Sequence, residues 1–205
     1  MIKSPVRAAR LIALPALLCL LGAAPALAAS VTVQVLDAKG QPVEDAAVFA
    51  EPVGAPQALR TRKTEIEQKD RSFRPLVTVV QTGTAINFPN NDTVRHHVYS
   101  FSKAKLFELK LYSGVPAAPV LFDKPGTVVL GCNIHDKMVG YVRVVDTPWF
   151  GKTGKDGRVR LEGLPDGQYQ LKAWVADLPN QDVAAEQALA VKGDMGAALR
   201  IAPAK

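Results

Sequence analysis

The sequence predicts an all-β protein built from β-sandwiches. Short stretches in which apolar and polar residues alternate recur along the chain, as expected of strands with one buried face. Gly, Pro, Asn and Asp separate these stretches at regular intervals, which is typical of sandwiches and barrels. No stretch carries a clear amphipathic helical pattern. These three observations together favour strands over helices from residue 31 onward.

The predicted strands follow one another closely. In the first, residues 31–36, Val31, Val33 and Val35 alternate with polar side chains, and residues 37–40 form the next turn. Residues 52–62 have the composition of a linker. The last two strands flank the turn 163–167 and are expected to pair as a hairpin. After the first strand, the predicted strands are 43–50, 73–80, 84–88, 94–101, 107–111, 127–132, 139–145, 157–161 and 168–175.

The composition excludes several classes of protein. Lys and Arg number 25 against 19 Asp and Glu, which gives a formal charge of +6. Three of the positive side chains lie in the first ten residues, so the rest of the chain has no excess that indicates nucleic-acid binding. Two cysteines are too few for a disulfide-rich scaffold.

Residues 1–28 predict a secretory signal peptide. Lys3, Arg7 and Arg10 precede the apolar run 11–21, and residues 26–28 supply the small-x-small cleavage pattern. The apolar run is short for a membrane span and contains a proline. We therefore expect an exported, periplasmic chain with no membrane span after processing.

Cleavage would leave Cys132 as the one cysteine of the mature chain. A free thiol outside the cytoplasm oxidises, so a partner for Cys132 is expected. His135 and Met138 follow it closely, and His96 and His97 are the other histidines of the chain. A soft thiolate, two imidazoles and a weak thioether are the donor set of a mononuclear blue-copper centre.

Core packing, a zinc site and a catalytic pair each account for the cluster less well. A buried Cys or Met is often a core residue, but core packing does not explain why all the histidines lie near Cys132. Zinc accepts Cys and His but avoids Met, and a dinuclear copper site needs a second cysteine. A Cys–His catalytic pair is less suited to one tight loop. Four protein ligands leave no open position for substrate, so the sequence predicts that the protein is not an enzyme.

Three segments carry the pattern of a known family. They are Asn-Phe-Pro-Asn-Asn-Asp at 87–92, His-His-Val at 96–98 and Gly-Cys-Asn-Ile-His-Asp-Lys-Met at 131–138. With these segments, residues 84–146 resemble a cupredoxin. The short Cys-x-x-His-x-x-Met loop is similar to that of amicyanin, and the whole chain is similar to the exported plastocyanin-like proteins labelled methylamine utilization protein.

The resemblance implies one type 1 copper ion as cofactor. Its equatorial ligands would be His96, Cys132 and His135, and its axial ligand would be Met138. His96 is preferred over its neighbour because Val94 and Val98 predict an inward-facing position. His97, which stands where the family usually has Asn, and Asn133 are expected to lie beside these ligands without binding the metal.

A second resemblance concerns the two ends of the mature chain. Residues 31–43 with 46–48, and residues 153–171, resemble the two halves of a carboxypeptidase-regulatory-like domain, a small transthyretin-like β-sandwich. The alternative is two domains in tandem, with 31–50 as the first strands of the cupredoxin. The predicted domains are a signal peptide at 1–28, the first part of the small sandwich at 30–62, a cupredoxin Greek-key sandwich at 63–146, and the second part at 147–205.

The cupredoxin resemblance implies a periplasmic one-electron carrier. We expect an unidentified redox partner, either a cytochrome or a dehydrogenase. Apolar Ile134, Pro116 and Pro119 are predicted to form its docking patch, and Lys137 to attract an acidic surface. Lys103 and Lys105 are predicted to add to this attraction. Copper storage or delivery through the same ligands, and a non-redox β-sandwich interaction module, are the alternatives.

Overall fold

The computed structural model describes residues 29–54, 58, 63–176 and 183–201. The predicted signal peptide lies outside these ranges, as does most of the predicted linker. The described residues form seventeen strands and no helix, so the all-β prediction is confirmed. In the same ranges, no helix has the length and apolar character needed to span a membrane.

The strands are numbered in chain order. They are β1 (Ala29–Leu36), β2 (Ala47–Pro52), β3 (Lys63–Glu65), β4 (Glu67–Lys69), β5 (Ser72–Arg74), β6 (Val77–Gln81), β7 (Thr84–Asn87), β8 (His96–Ser102), β9 (Lys105–Tyr112), β10 (Val120–Phe122), β11 (Gly126–Gly131), β12 (Val139–Val145), β13 (Phe150–Lys152), β14 (Arg158–Leu164), β15 (Gly167–Trp174), β16 (Ala185–Val191) and β17 (Met195–Arg200).

Strands from both ends of the described chain form one sandwich, called the terminal sandwich below. Its sheets have the strand orders β14-β1-β17 and β13-β2-β15-β16. Val31, Val33 and Val35 of β1 are fully buried, because the alternation of the strand turns them all to one face. They share a core with Leu171 and Ala173 of the opposite sheet.

Strands β3 to β12 form a second, central sandwich. Its main sheets have the orders β6-β12-β11-β8-β9 and β10-β7-β3, and β4 and β5 pair as a separate hairpin. Ile86 and Phe122 of the small sheet pack with Val98, Leu130 and Val142 of the large one in a single core. The predicted domain limits, and the likeness of the terminal sandwich to a carboxypeptidase-regulatory-like domain, stay predictions.

The two sandwiches share a small apolar interface. Phe49 and Trp174 of the terminal sandwich pack with Val77 and Val145 of the central one. The ring of Tyr141 on β12 lies 5.9 Å from that of Trp174 between centroids. These contacts cover the outer face of the large sheet at β6 and β12.

Several details differ from the sequence prediction. The expected hairpin around 163–167 is wrong, since β14 pairs with β1 whereas β15 pairs with β2 and β16. The turn carries the chain from one sheet to the other. The predicted strand 73–80 is two strands, because Pro75 has no N–H for a sheet ladder. Strands β3, β4, β10, β13, β16 and β17 were not predicted.

Candidate metal centre

Cys132 lies immediately after β11, at the end of a buried face. Val128 and Leu130 are fully buried in the core of the central sandwich, and Cys132 continues their alternation with 3% of its surface exposed. The strand therefore directs the Cys132 sulfur into the protein rather than toward solvent.

The loop after Cys132 is folded by two consecutive turns. The His135 N–H donates to the Cys132 carbonyl at 3.4 Å, and the Met138 N–H donates to the His135 carbonyl at 2.8 Å. Met138 is buried in the same core cluster as Cys132, whereas His135 is half-buried. The loop thus holds one thioether inside the sandwich and leaves one imidazole at its surface.

His96 begins β8 and is fully buried. Because successive strand residues face opposite sides, His96 and Val98 face the core, while His97 faces the other side of the sheet, where only 6% of its surface is exposed. The expectation that Val94 is also inward-facing is wrong. Val94 precedes the strand, in the loop that leads into it, and 37% of its surface is exposed.

The side chains of His96, Cys132 and His135 meet at one point. Each Nδ1 lies 3.9 Å from the Cys132 Sγ, and the three donor atoms lie within 4.8 Å of one another. A trigonal ion bound about 2.3 Å from sulfur and about 2.0 Å from nitrogen would place each nitrogen roughly 3.7 Å from the sulfur. The three side chains could therefore bind a single metal ion with little change in their positions.

A buried polar network supports the loop that precedes His96. The Tyr112 hydroxyl donates to the Phe88 carbonyl at 2.6 Å, and Asn90 Nδ2 donates to the carbonyls of Val94 at 2.9 Å and Tyr112 at 2.8 Å. Gln68 Nε2 also donates to the Phe88 carbonyl, at 3.0 Å, and contacts the Tyr112 hydroxyl.

Tyr112 stays protonated in this network. Burial raises the pKa of Tyr112 to about 12, although the hydrogen bond from Gln68 opposes the rise. The phenol therefore remains a hydrogen-bond donor at any physiological pH, and it fixes the loop from which His96 emerges.

Asp92 is a site residue that the sequence prediction missed. Its Oδ2 lies 3.0 Å from Nε2 of His96, on the side of the ring away from Cys132. The hydrogen bond from the Arg71 main chain lowers the pKa of Asp92 most, and the bond from His96 adds to this effect. Together they bring the pKa to about 2. The only signal in the sequence is its place four residues before His96, inside the segment 87–92.

His97 lies outside the three-residue cluster. Its Nε2 is 2.8 Å from Oε1 of Glu108, on the neighbouring strand β9. The two side chains line an open groove together with Tyr99, Phe101 and Asn133. His97 and Asn133 are each the chain neighbour of a predicted ligand, and both line this groove. Their effect on the metal stays a prediction.

The residues predicted to dock a partner lie at the surface to different degrees. Ile134 and Lys137 are exposed on the same loop as His135, and 48% of Ile134 is accessible. Between β9 and β10, Pro119 is exposed and Pro116 is half-buried. Lys105 is ion-paired with Asp123 at 3.3 Å. Their part in docking stays a prediction.

Neither models of protein families nor curated proteins match the chain. Among solved structures, it is similar to a purple cupredoxin from Nitrosopumilus maritimus, with 21% identity and a TM-score of 0.36, over 40% of this chain and 99% of that one. It is similar to the P52G mutant of amicyanin in its reduced Cu(I) form, with 18% identity and a TM-score of 0.36, over 40% of this chain and 80% of the other.

A third similar structure is an enzyme. It is the copper-containing nitrite reductase NirK from Thermus scotoductus SA-01, with 26% identity and a TM-score of 0.40. The match covers 55% of this chain and 28% of the reductase. The prediction that the protein is not an enzyme is therefore wrong, since an enzyme is among the similar structures. The prediction relied on the ligand count of one site, which does not limit the rest of a chain.

Proposed function

We propose that the protein is a periplasmic type 1 (blue) copper protein that carries one electron at a time. The observation that supports this proposal is the convergence of His96, Cys132 and His135, whose donor atoms lie within 4.8 Å of one another. Two imidazoles, one thiolate and a buried Met138 in the same core are the donor set that distinguishes blue-copper sites from zinc sites.

The ligands are held by rigid parts of the central sandwich. His96 begins a strand, Cys132 directly follows one, and the loop between Cys132 and Met138 is closed by its own main-chain hydrogen bonds. Bound copper would alternate between Cu(II) and Cu(I) and so accept and release one electron. Because the strands fix the donors, the protein needs little rearrangement when the charge of the ion changes.

His135 provides the route to the surface. It is the one member of the three-residue cluster that is half-buried rather than buried, and exposed Ile134 lies beside it in the chain. We propose that electrons pass through the His135 ring to a cytochrome or dehydrogenase that contacts Ile134. Lys137, exposed on the same loop, would attract acidic groups on that partner.

The test is copper loading of the exported protein. Addition of Cu(II) should produce an intense blue colour, and Cys132→Ser and His96→Gln should each abolish it. His97→Asn is the matched control, since His97 lies outside the cluster, and it should keep the colour. Colourless wild-type protein would contradict the proposal. A blue protein that loses copper rapidly to a chelator and shows no reversible reduction would favour copper delivery instead.

A further inference from the structure

Both ring nitrogens of His96 have a polar partner. Its Nδ1 lies 3.9 Å from the Cys132 sulfur, and its Nε2 lies 3.0 Å from Oδ2 of Asp92. A neutral imidazole carries one proton, so one of its nitrogens is a donor and the other is an acceptor. Only a nitrogen without a proton can bind a metal ion. The position of this single proton therefore decides whether Nδ1 is available as a ligand.

Asp92 is itself held by three main-chain hydrogen bonds. Its Oδ2 also accepts the Arg71 N–H at 2.8 Å, and its Oδ1 accepts the Thr93 N–H at 2.9 Å. The Asp92 N–H in turn donates to Oδ1 of Asn90 at 3.0 Å. An ionised carboxylate can only accept hydrogen bonds, so Nε2 of His96 must be the donor in their contact.

The Arg71 N–H comes from the turn of the β4–β5 hairpin. Asp70 and Arg71 have φ angles of 51° and 55° in this turn, a conformation that few residues other than Gly adopt. The hairpin is joined to the loop before His96 by two further main-chain bonds, from Gln68 N–H to the Pro89 carbonyl at 2.8 Å and from Asn91 N–H to the Gln68 carbonyl at 3.0 Å.

We propose that Asp92 is a positioning residue of the metal centre. Anchored by the hairpin turn, its carboxylate keeps the His96 proton on Nε2 and leaves Nδ1 bare toward Cys132 and His135. The effect on copper rests on the proposed function, whereas the proton position is a property of the metal-free protein. A carboxylate partner also makes the imidazole a stronger electron donor, which favours the more highly charged Cu(II) state.

The first test needs no metal. Nitrogen-15 NMR of the three histidine rings in the metal-free protein at neutral pH should show His96 protonated on Nε2 and unprotonated on Nδ1. Asp92→Ala removes the acceptor and should move the proton to Nδ1 in part of the population. Asp123→Ala is the matched control, because it deletes a carboxylate whose side-chain partner is Lys105, and it should change nothing at His96. A wild-type proton on Nδ1 would overturn the proposal.

The second test uses copper. Asp92→Ala should weaken Cu(II) binding by about 10- to 100-fold, as loss of such a partner does at other metal sites, and should raise the reduction potential. Asp92→Asn retains one oxygen that can accept from Nε2, so its affinity should lie between those of wild type and Asp92→Ala. This milder variant also serves if the alanine variant does not fold.

The two proposals fail in different ways. If wild-type protein binds no copper, the proposed function is wrong, and the NMR result for His96 still decides the role of Asp92. If copper binds with a blue colour and both Asp92 variants keep the wild-type affinity and potential, Asp92 has no positioning role and the proposed function stands.

Discussion

Gly131, the residue before Cys132, gives the sharpest test of the geometry around the site. A Cβ at this position would lie 2.7 Å from Cζ and 2.8 Å from the hydroxyl oxygen of Tyr99, on the neighbouring strand β8. The ring would have to retreat by about 0.7 Å to reach 3.4 Å, the short end of ordinary contact. Overpacking of this kind costs about 1–3 kcal/mol.

We therefore expect Gly131→Ala to lower the free energy of unfolding by about 1–3 kcal/mol, measured by urea denaturation of the metal-free protein. Tyr99 is half-buried, so its ring can move and the loss should fall toward the lower end. In a Tyr99→Ala background the obstacle is absent. There, the same glycine substitution should be neutral or stabilise the strand by up to about 1 kcal/mol.

The double-mutant cycle is the control for this prediction. A clash between Gly131 and Tyr99 requires a coupling free energy of at least about 0.5 kcal/mol between the two substitutions. If Gly131→Ala lowers the free energy of unfolding as much in the Tyr99→Ala background as in wild type, Tyr99 does not limit residue 131 and the expected clash does not exist.

Three further predictions concern the core, Met138 and acid stability. Leu130→Ala, in the fully buried core beside Cys132, should lower the free energy of unfolding by about 2–5 kcal/mol in urea denaturation, and a loss below about 1 kcal/mol would contradict the packing described here. Met138→Leu conserves volume and should lower the free energy of unfolding by less than about 1.5 kcal/mol. It should nevertheless shift the visible spectrum and the reduction potential of the copper-loaded protein. Unchanged values would show that the thioether does not reach the metal. The Ser30 N–H donates to Oδ1 of Asp194 at 2.8 Å and holds the pKa of Asp194 below its ordinary value of 3.8. The stability from this contact is therefore present above pH 4 and is lost as the pH falls through the lowered pKa. Asp194→Asn should accordingly flatten the fall in stability below pH 4, and an unchanged fall would rule the contact out as its source.

The cluster could be anticipated from sequence because its residues are rare and close together. Cys132, His135 and Met138 lie in seven residues, and alternation with Val128 and Leu130 predicts that the cysteine faces inward. Alternation alone did not place the loop before β8 correctly, since Val94 lies where the strand has not yet begun.

The support for His96 could not be read from the sequence. Asp92 reaches the ring only because the β4–β5 hairpin holds it, and each strand of that hairpin has three residues, too few to show an alternating pattern. Strand β16 was missed for another reason. Its residues, Ala185–Val191, are mostly Ala, Glu and Gln, which have low strand propensity, and pairing with β15 overrides that preference.

X-ray absorption spectroscopy of the copper-loaded protein counts the atoms bound to the metal, and so decides whether His96, Cys132 and His135 bind copper together. We expect one sulfur and two imidazole nitrogens within about 2.0–2.3 Å, with the sulfur absent in Cys132→Ser. A coordination shell of oxygen and nitrogen alone in the wild-type protein would contradict it.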